Sequence, residues 1–165
     1  MRKGSLIVLF LVLLMFCGLV YANQEPEEIF RAVIKIRAVI PENARTAQVL
    51  GTEREGHGVV IDSDGHVLTI GYLILEAKTI EITGPDGKII DATFVGYDYN
   101  SGFGLLRANT SLNVQPMKLG QSSEVKVGDP VLVVGHGGLD AAQGAYVVAR
   151  REFAGYWEYL LEEAI

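Results

Sequence analysis

Three histidines and a few loop serines are the side chains of this 165-residue chain best suited to acid–base or nucleophilic chemistry. A serine, a histidine and an aspartate that meet in space can attack an acyl carbon. His57, His66 and His136 lie in three separate turn-like stretches, so their spacing does not predict a metal site. The hydroxyl groups that lack a basic partner in register are those of Ser101, Ser122 and Ser123. Local spacing alone therefore identifies no catalytic group.

The N-terminus has the features of an export signal. Arg2 and Lys3 precede an apolar run over residues 6–20, and Val20-Tyr21-Ala22 is typical of a cleavage site. We therefore predict a signal peptide over residues 1–22 and a short polar tether over residues 23–28. The alternative is an uncleaved membrane anchor, but the apolar run is short for a spanning helix, which needs about 20 residues.

Composition limits the chemistry of the remaining chain. Hydrophobic residues make up 49% of the sequence, and the length suits one domain with a real core. The single cysteine, Cys17, lies in the predicted signal, so a mature chain has no disulfide, thiol nucleophile or cysteine metal site. Without Arg2 and Lys3, 12 basic residues face 20 acidic ones, a net charge near −8 that disfavours nucleic acid and anionic membranes as partners. No cofactor is predicted.

Short apolar runs bounded by turn residues fill residues 29–165. Asp64-Gly65 and Asp86-Gly87 each stand between two such runs, a strong local signal for a β-hairpin. This rhythm predicts an all-β barrel or sandwich. The tail over 152–165 differs, because its apolar residues recur at helical spacing and predict a short amphipathic helix. Its aromatic residues are expected either to fill a barrel end or to form an exposed patch; they are Tyr156, Trp157 and Tyr159.

The order of motifs over residues 30–150 resembles HtrA/DegP-type trypsin-like serine proteases. The matching elements, in order, are Gly56-His57-Gly58, Asp64-Gly65, Asp86-Gly87, Val95-Gly96-Tyr97-Asp98, Leu105-Leu106 and a stretch from Met117 to Gly138. The resemblance implies a trypsin-like double β-barrel, with a complete first barrel and an incomplete second one. It makes residues 29–165 the N-terminal portion of a peptidase domain.

The resemblance also implies where catalytic residues should stand. Aligned on these motifs, the histidine position holds Tyr72 and the aspartate position holds Gly102. The Gly-Asn-Ser-Gly-Gly loop of the family does not occur in these 165 residues, and the family spacing predicts that the chain ends shortly before it. Tyrosine side chains in model peptides titrate near pH 10, about three units above the range suited to a general base. The triad is therefore expected to be degenerate.

Two further residues are candidates for lining a cleft. His136 occupies the family's Asn-Pro turn, and Asp98 lies four residues before the aspartate position. Asp98 is expected either to reach toward Tyr72 or to cap its own turn.

Three functions follow from the resemblance and the departures from it. The first is an exported, proteolytically inactive homologue that holds an extended peptide or unfolded protein segment by adding it as a strand. The second is a serine endopeptidase that acts through unconventional residues or residues beyond the chain end, and the third is a non-functional gene fragment. The expected location is the bacterial periplasm or exterior, with no stable membrane association after signal cleavage; no oligomeric state is predicted.

Overall fold

The computed structural model describes residues 26–155 and 159–165. Its first half contains two short helices and six strands, in the order α1 (Pro26–Arg31), β1 (Val33–Val39), α2 (Ala47–Leu50), β2 (Glu53–Val60), β3 (His66–Ile70), β4 (Thr79–Thr83), β5 (Ile89–Tyr97) and β6 (Phe103–Ala108). The second half contains four strands, β7 (Pro130–Val134), β8 (Ala142–Tyr146), β9 (Arg151–Ala154) and β10 (Leu160–Ala164). Single 3-10 turns occupy Gly71–Leu73, Ser122–Glu124 and Gly138–Ala141.

Strands β1 to β6 close into a barrel in the order β1-β2-β3-β6-β5-β4, and every neighbouring pair is antiparallel. Alternate side chains point inward, as the period of a strand requires. In β1, for example, Ile34, Ile36 and Ala38 are fully buried, while the residues between them are partly exposed. Closure pairs the backbone of all six strands and buries one contiguous apolar core.

The two Asp-Gly pairs form the turns that the sequence predicts. Asp64-Gly65 joins β2 to β3 and Asp86-Gly87 joins β4 to β5, with each glycine in the left-handed region at φ 82° and 76°. The carboxylate of Asp62 accepts hydrogen bonds from the backbone N–H groups of Asp64 and His66, each at 3.0 Å. The hairpin prediction is confirmed.

The second half is more open. Within the part of the chain that the structure describes, strands β7 and β8 pair only with each other, and so do β9 and β10. Several large apolar side chains of these four strands are exposed; they are Leu132, Val133, Tyr146, Phe153 and Leu160. The prediction of an all-β protein with a complete first barrel and an incomplete second one is confirmed. Among the described residues, no helix combines the length and the apolar character needed to cross a bilayer.

The helix predicted for the tail is wrong. Residues 151–154 and 160–164 form the antiparallel strands β9 and β10, in which Leu161 lies opposite Phe153. The N–H of Gly155 donates to the carbonyl of Tyr159 at 2.8 Å, which continues the antiparallel pairing of the two strands and is not a hydrogen bond of a helix. In this segment, pairing between strands determined the backbone conformation more strongly than the helical spacing of the apolar residues. Tyr156 and Trp157 lie outside the described residues.

The first described element is a short helix at the N-terminal side of the barrel. The predicted tether over residues 23–28 overlaps α1, which begins at Pro26. Proline suits the first turn of a helix, and Glu27 and Glu28 there face the favourable end of the helix dipole. The predicted signal peptide over residues 1–22 lies outside the described residues.

Candidate functional site

Tyr72 and Gly102 lie on adjacent turns at one end of the barrel. Strand β3 leads into the 3-10 turn Gly71–Leu73, and Gly102 directly precedes β6, the partner of β3. The N–H of Gly71 donates to the carbonyl of Gly102 at 2.7 Å, which ties the two turns together. The Tyr72 side chain is 41% exposed. The structure thus brings together the two positions where the resemblance implies a histidine and an aspartate.

A buried arginine holds the Tyr72 turn from inside the barrel. Arg54, on β2, is only 5% exposed, and one of its terminal nitrogens donates to the carbonyls of both Tyr72 and Leu75. Its Nε donates to the carbonyl of Gly51, and its other terminal nitrogen donates to the Thr46 hydroxyl at 2.7 Å. Burial of the guanidinium lowers the Arg54 pKa, an effect opposed by the charge of Glu76. These four hydrogen bonds tie the buried charge to the segment that precedes β2 and to the Tyr72 turn.

Glu76 completes this network from the far end of the turn. Its carboxylate accepts from the Thr46 hydroxyl at 2.6 Å, from the Thr46 N–H at 2.8 Å and from the Arg45 N–H at 3.2 Å. These bonds, chiefly those from Thr46, lower the Glu76 pKa. Glu76 also has φ 61°, a rare conformation for a residue with a side chain. The three side chains of Arg54, Thr46 and Glu76, here called the turn clamp, therefore support a strained turn.

Asp98 caps the loop that carries Gly102. Its carboxylate accepts from the N–H of Asn100 at 3.1 Å and from both the N–H and the hydroxyl of Ser101. The Ser101 hydroxyl and then the Asn100 N–H lower the Asp98 pKa. The carbonyl of Asp98 accepts from the N–H of Gly102 at 2.8 Å. Of the two roles considered for Asp98, these bonds correspond to capping its own turn.

The space beside Gly102 is filled by an aromatic ring. Gly102 has φ 73°, and a Cβ placed on it would lie 2.2 Å from Cδ1 of Tyr159. The same ring covers Gly155, where a Cβ would lie 2.5 Å from Cζ. Real Cβ atoms do not approach other atoms this closely, so a side chain at position 102 would displace the ring. Tyr159 therefore occupies the volume that an aspartate at this position would need.

A second ring covers the neighbouring glycine. A Cβ placed on Gly71 would lie 1.8 Å from Cε2 of Tyr97, and the Tyr97 ring meets that of Tyr99 edge to face at a centroid distance of 4.5 Å. Gly71 and Gly102, whose backbones are hydrogen-bonded, are thus each covered by a tyrosine ring. Tyr72 directly follows Gly71 in the chain. We call Tyr72, Tyr97, Tyr99 and Tyr159 the tyrosine cluster.

The three histidines stand on separate elements. His66 Nδ1 lies 2.7 Å from Asp62 Oδ2, and the ring of His57 lies 3.6 Å from a Cβ placed on Gly135. His136 lines an open cavity of ≈ 340 Å³, opposite Phe30 and Arg31 of α1. Within the described ranges, no group of three or more histidine, cysteine or acidic side chains is placed to hold a metal ion.

Comparison with known proteins shows the relationship directly. The family model for the trypsin-like peptidase domain matches residues 56–163. The chain belongs to the trypsin-like peptidase family. Its relatives are of HtrA/DegP type: a serine protease HtrA-like protein of Staphylococcus haemolyticus is 33% identical over 119 residues, which are 67% of this chain and 19% of the relative. Periplasmic serine endoprotease DegP of Escherichia coli K12 is 33% identical over 82 residues, covering 49% of this chain and 17% of DegP.

Solved structures show the same fold. The HtrA-type protease AlgW with a tripeptide superposes with a TM-score of 0.64 at 20% identity, over 79% of this chain and 40% of that protein. A variant of the same protease gives 0.66 at 21% identity. The chain spans less than a third of the length of the curated relatives it matches. The family and the fold are therefore shared over one portion of these longer proteins.

Two residues of this site were missed by the sequence reasoning. Arg54 had a signal, since it alternates with Gly56, Gly58 and Val60 and so occupies an inward position of β2. The sequence indicated Tyr159 only as one aromatic residue of the tail, because the helix predicted for residues 152–165 did not place it beside Gly102. Its contact with Gly102 depends on how the tail folds back on the barrel, which no local pattern records.

Proposed function

We propose that this chain is a member of the HtrA-type protease family that has lost proteolysis and acts by holding an extended peptide. The observation that carries the proposal is the ring of Tyr159 against Gly102, in the space of the missing aspartate. Gly102 supplies no carboxylate to orient a base, and Tyr72 offers a phenol where the family mechanism uses an imidazole. Loss of one triad member costs a factor of about 10⁴ in rate in the serine proteases.

Peptide holding is supported by the strand edges of the second half. The closed barrel leaves no unpaired edge, whereas the described parts of β9 and β10 pair with each other alone. An open edge offers N–H and C=O groups to an added strand. Strand β10 begins beside Tyr159, at the tyrosine cluster. The AlgW structure of similar fold contains a tripeptide, which agrees with a peptide as the class of ligand.

The loss of proteolysis is tested with the full-length protein. Fluorescent casein and a fluorophosphonate probe are incubated with the protein, with an active HtrA-type protease alongside as positive control. We expect neither hydrolysis nor labelling above a heat-denatured blank. Labelling of the native protein would contradict the proposal, and the Tyr72→Phe variant would then show whether the phenol takes part, since it keeps the ring and removes only the hydroxyl.

Peptide holding needs a separate assay. Fluorescence anisotropy is measured with labelled extended peptides and with a reduced, carboxymethylated protein that cannot fold; its native form serves as the matched control. We expect the unfolded form to bind and the native form not to bind. Equal binding of both forms, or binding of neither, would overturn the peptide-holding role while leaving the loss of proteolysis standing.

Export to the bacterial periplasm or exterior belongs to the same proposal. It is supported by the basic and apolar pattern of residues 1–22 and by the periplasmic location in the name of the DegP relative. Cell fractionation followed by mass spectrometry of the N-terminus should find a mature chain that begins at Asn23. A cytoplasmic protein that retains Met1 would contradict it.

A further inference from the structure

The tyrosine cluster presents ring surface at the position that catalysis occupies in relatives. Tyr99 is 66% exposed, and its ring is held edge to face by Tyr97, whose own ring rests on Gly71. Tyr159 is fixed in the same way by the two glycines it covers. Rings that rest on glycines and on one another lose little freedom when a ligand arrives, so this surface is organised before binding.

Asp98 brings a negative charge to the exposed part of the cluster. Asp98 stands between Tyr97 and Tyr99 in the chain, and its hydrogen bonds with Ser101 and Asn100 lower its pKa. Aspartate is ionised near neutral pH, and the lowered pKa extends this charged state to more acidic conditions. The chain as a whole carries a net charge of −6. A ligand group that complements this surface is therefore cationic.

We propose that the tyrosine cluster, together with Asp98, binds an arginine or lysine side chain of the extended peptide. A cation placed over a tyrosine face is attracted by the ring quadrupole, and arginine makes this contact more often than lysine. This inference rests on the proposed peptide-holding function and specifies its ligand. A proline-rich segment also binds aromatic surfaces, but the negative charge in the cluster gives it no advantage.

The experiment compares three labelled peptides of one backbone sequence, with arginine, citrulline or proline at the central position, against the full-length protein. Citrulline keeps nearly the shape and planarity of arginine, replaces one terminal amino group with a carbonyl oxygen and lacks the charge. We expect the arginine peptide to bind about five- to ten-fold more tightly than the citrulline peptide, a preference that shrinks as salt rises. Equal affinity for arginine and citrulline, or a preference for proline, would overturn the inference.

Variants locate the contact. Tyr99→Leu removes the ring face and should weaken arginine-peptide binding about two- to five-fold, whereas Tyr99→Phe keeps the face and should bind as the unmodified protein does. Asp98→Asn retains an oxygen for the turn and should remove part of the salt dependence. Phe94→Leu is the matched control, because Phe94 is an exposed aromatic residue of β5 outside the cluster. Equal losses in Tyr99→Leu and Phe94→Leu would contradict the assignment.

The outcomes separate this inference from the function on which it rests. If all three peptides bind equally, the protein holds peptides but does not select a basic side chain, and only the inference fails. If none of the three binds and the unfolded protein also fails to bind, the peptide-holding function itself is wrong.

Discussion

The closed barrel and the two-stranded sheets are built from similar residues but bury them very differently. In β1 the inward side chains are fully buried, whereas all four residues of β9 are exposed. Strand β7 is as apolar as β1, and yet none of its five residues is buried, so composition alone does not explain the difference. Closure does, because each barrel strand has two partners and an enclosed face, while β9 has one partner and no enclosed face.

The two regions meet at the candidate site. Gly102 directly precedes β6 of the barrel and Tyr159 directly precedes β10 of the β9–β10 hairpin, and the ring of Tyr159 covers Gly102. The turn clamp therefore supports the Tyr72 side of the site, and the contacts of the ring with Gly102 and Gly155 support the Tyr159 side. Such support suits a surface that is organised before a ligand binds.

The largest expected effect comes from a cavity in the barrel. Ile36 is fully buried and lies opposite Ile82 of β4, so Ile36→Ala should lower the free energy of unfolding by about 2–5 kcal/mol. The matched change in the open region is Leu132→Ala, where the side chain is 55% exposed and the expected loss is about 0.5 kcal/mol or less. Urea denaturation of both variants provides the measurement. Similar losses would show that β7 and β8 are packed as firmly as the barrel.

Urea denaturation of the unmodified protein also tests whether the chain is a non-functional fragment. A barrel with a continuous core is expected to unfold in one cooperative transition. A broad, non-cooperative transition of the unmodified protein would favour the fragment hypothesis over a binding role.

The strand rhythm and both Asp-Gly hairpins could be predicted because they depend on residues close in the sequence. Asp64-Gly65 and Asp86-Gly87 determine their turns locally, through the left-handed conformation that glycine accepts. The β9–β10 hairpin could not be predicted, because helical spacing and strand pairing both fit its apolar residues. Only the pairing between its two strands, which includes the hydrogen bond from Gly155 to Tyr159, decides between them.

The candidate site could be predicted only in part, because some of its contacts join residues that are far apart in the sequence. The positions of Tyr72 and Gly102 followed from motif order, and they do lie on adjacent turns. The space beside Gly102 is filled by Tyr159, which lies far from Gly102 in the sequence. For Arg54, the alternation of β2 predicts that the side chain points inward, but it does not predict which carbonyl groups accept its hydrogen bonds.

A substitution at Gly102 tests the contact between the two regions. Gly102→Ala combines left-handed strain with a clash against Tyr159 and should cost about 2–4 kcal/mol. Gly87→Ala is the matched control, because Gly87 has nearly the same φ, 76°, but no atom within 4 Å of its added Cβ. The difference between the two variants, measured by urea denaturation, isolates the clash. The difference should vanish when both substitutions are made in a Tyr159→Ala background. A difference that persists would show that the Tyr159 ring does not cause the extra cost at Gly102.

Removal of the turn clamp should have a smaller effect. Arg54→Met deprives the carbonyls of Tyr72 and Leu75 of their shared donor and should cost about 1–3 kcal/mol. Arg107→Met, on the exposed face of β6, is the matched control and should be nearly neutral. Hydrogen exchange adds a local measurement, because amide protection over residues 71–75 should fall further than protection in the rest of the barrel. A uniform loss of protection would show that Arg54 supports the whole barrel and not the turn.

The smallest expected effect concerns acid and the carboxylate of the turn clamp. The folded protein lowers the pKa of Glu76 below its ordinary 4.5, chiefly through the Thr46 hydroxyl, so the unfolded chain takes up this proton first as pH falls. The contribution of Glu76 to stability is therefore complete above its unfolded pKa and is lost as pH falls through the folded one. Thr46→Val removes the hydroxyl and should flatten the decline of the urea midpoint between pH 6 and about pH 3. Thr46→Ser retains the hydroxyl and should keep the decline of the unmodified protein. If both variants decline equally, the acid sensitivity of the barrel arises elsewhere, and the turn clamp stabilises the Tyr72 turn through Arg54 alone.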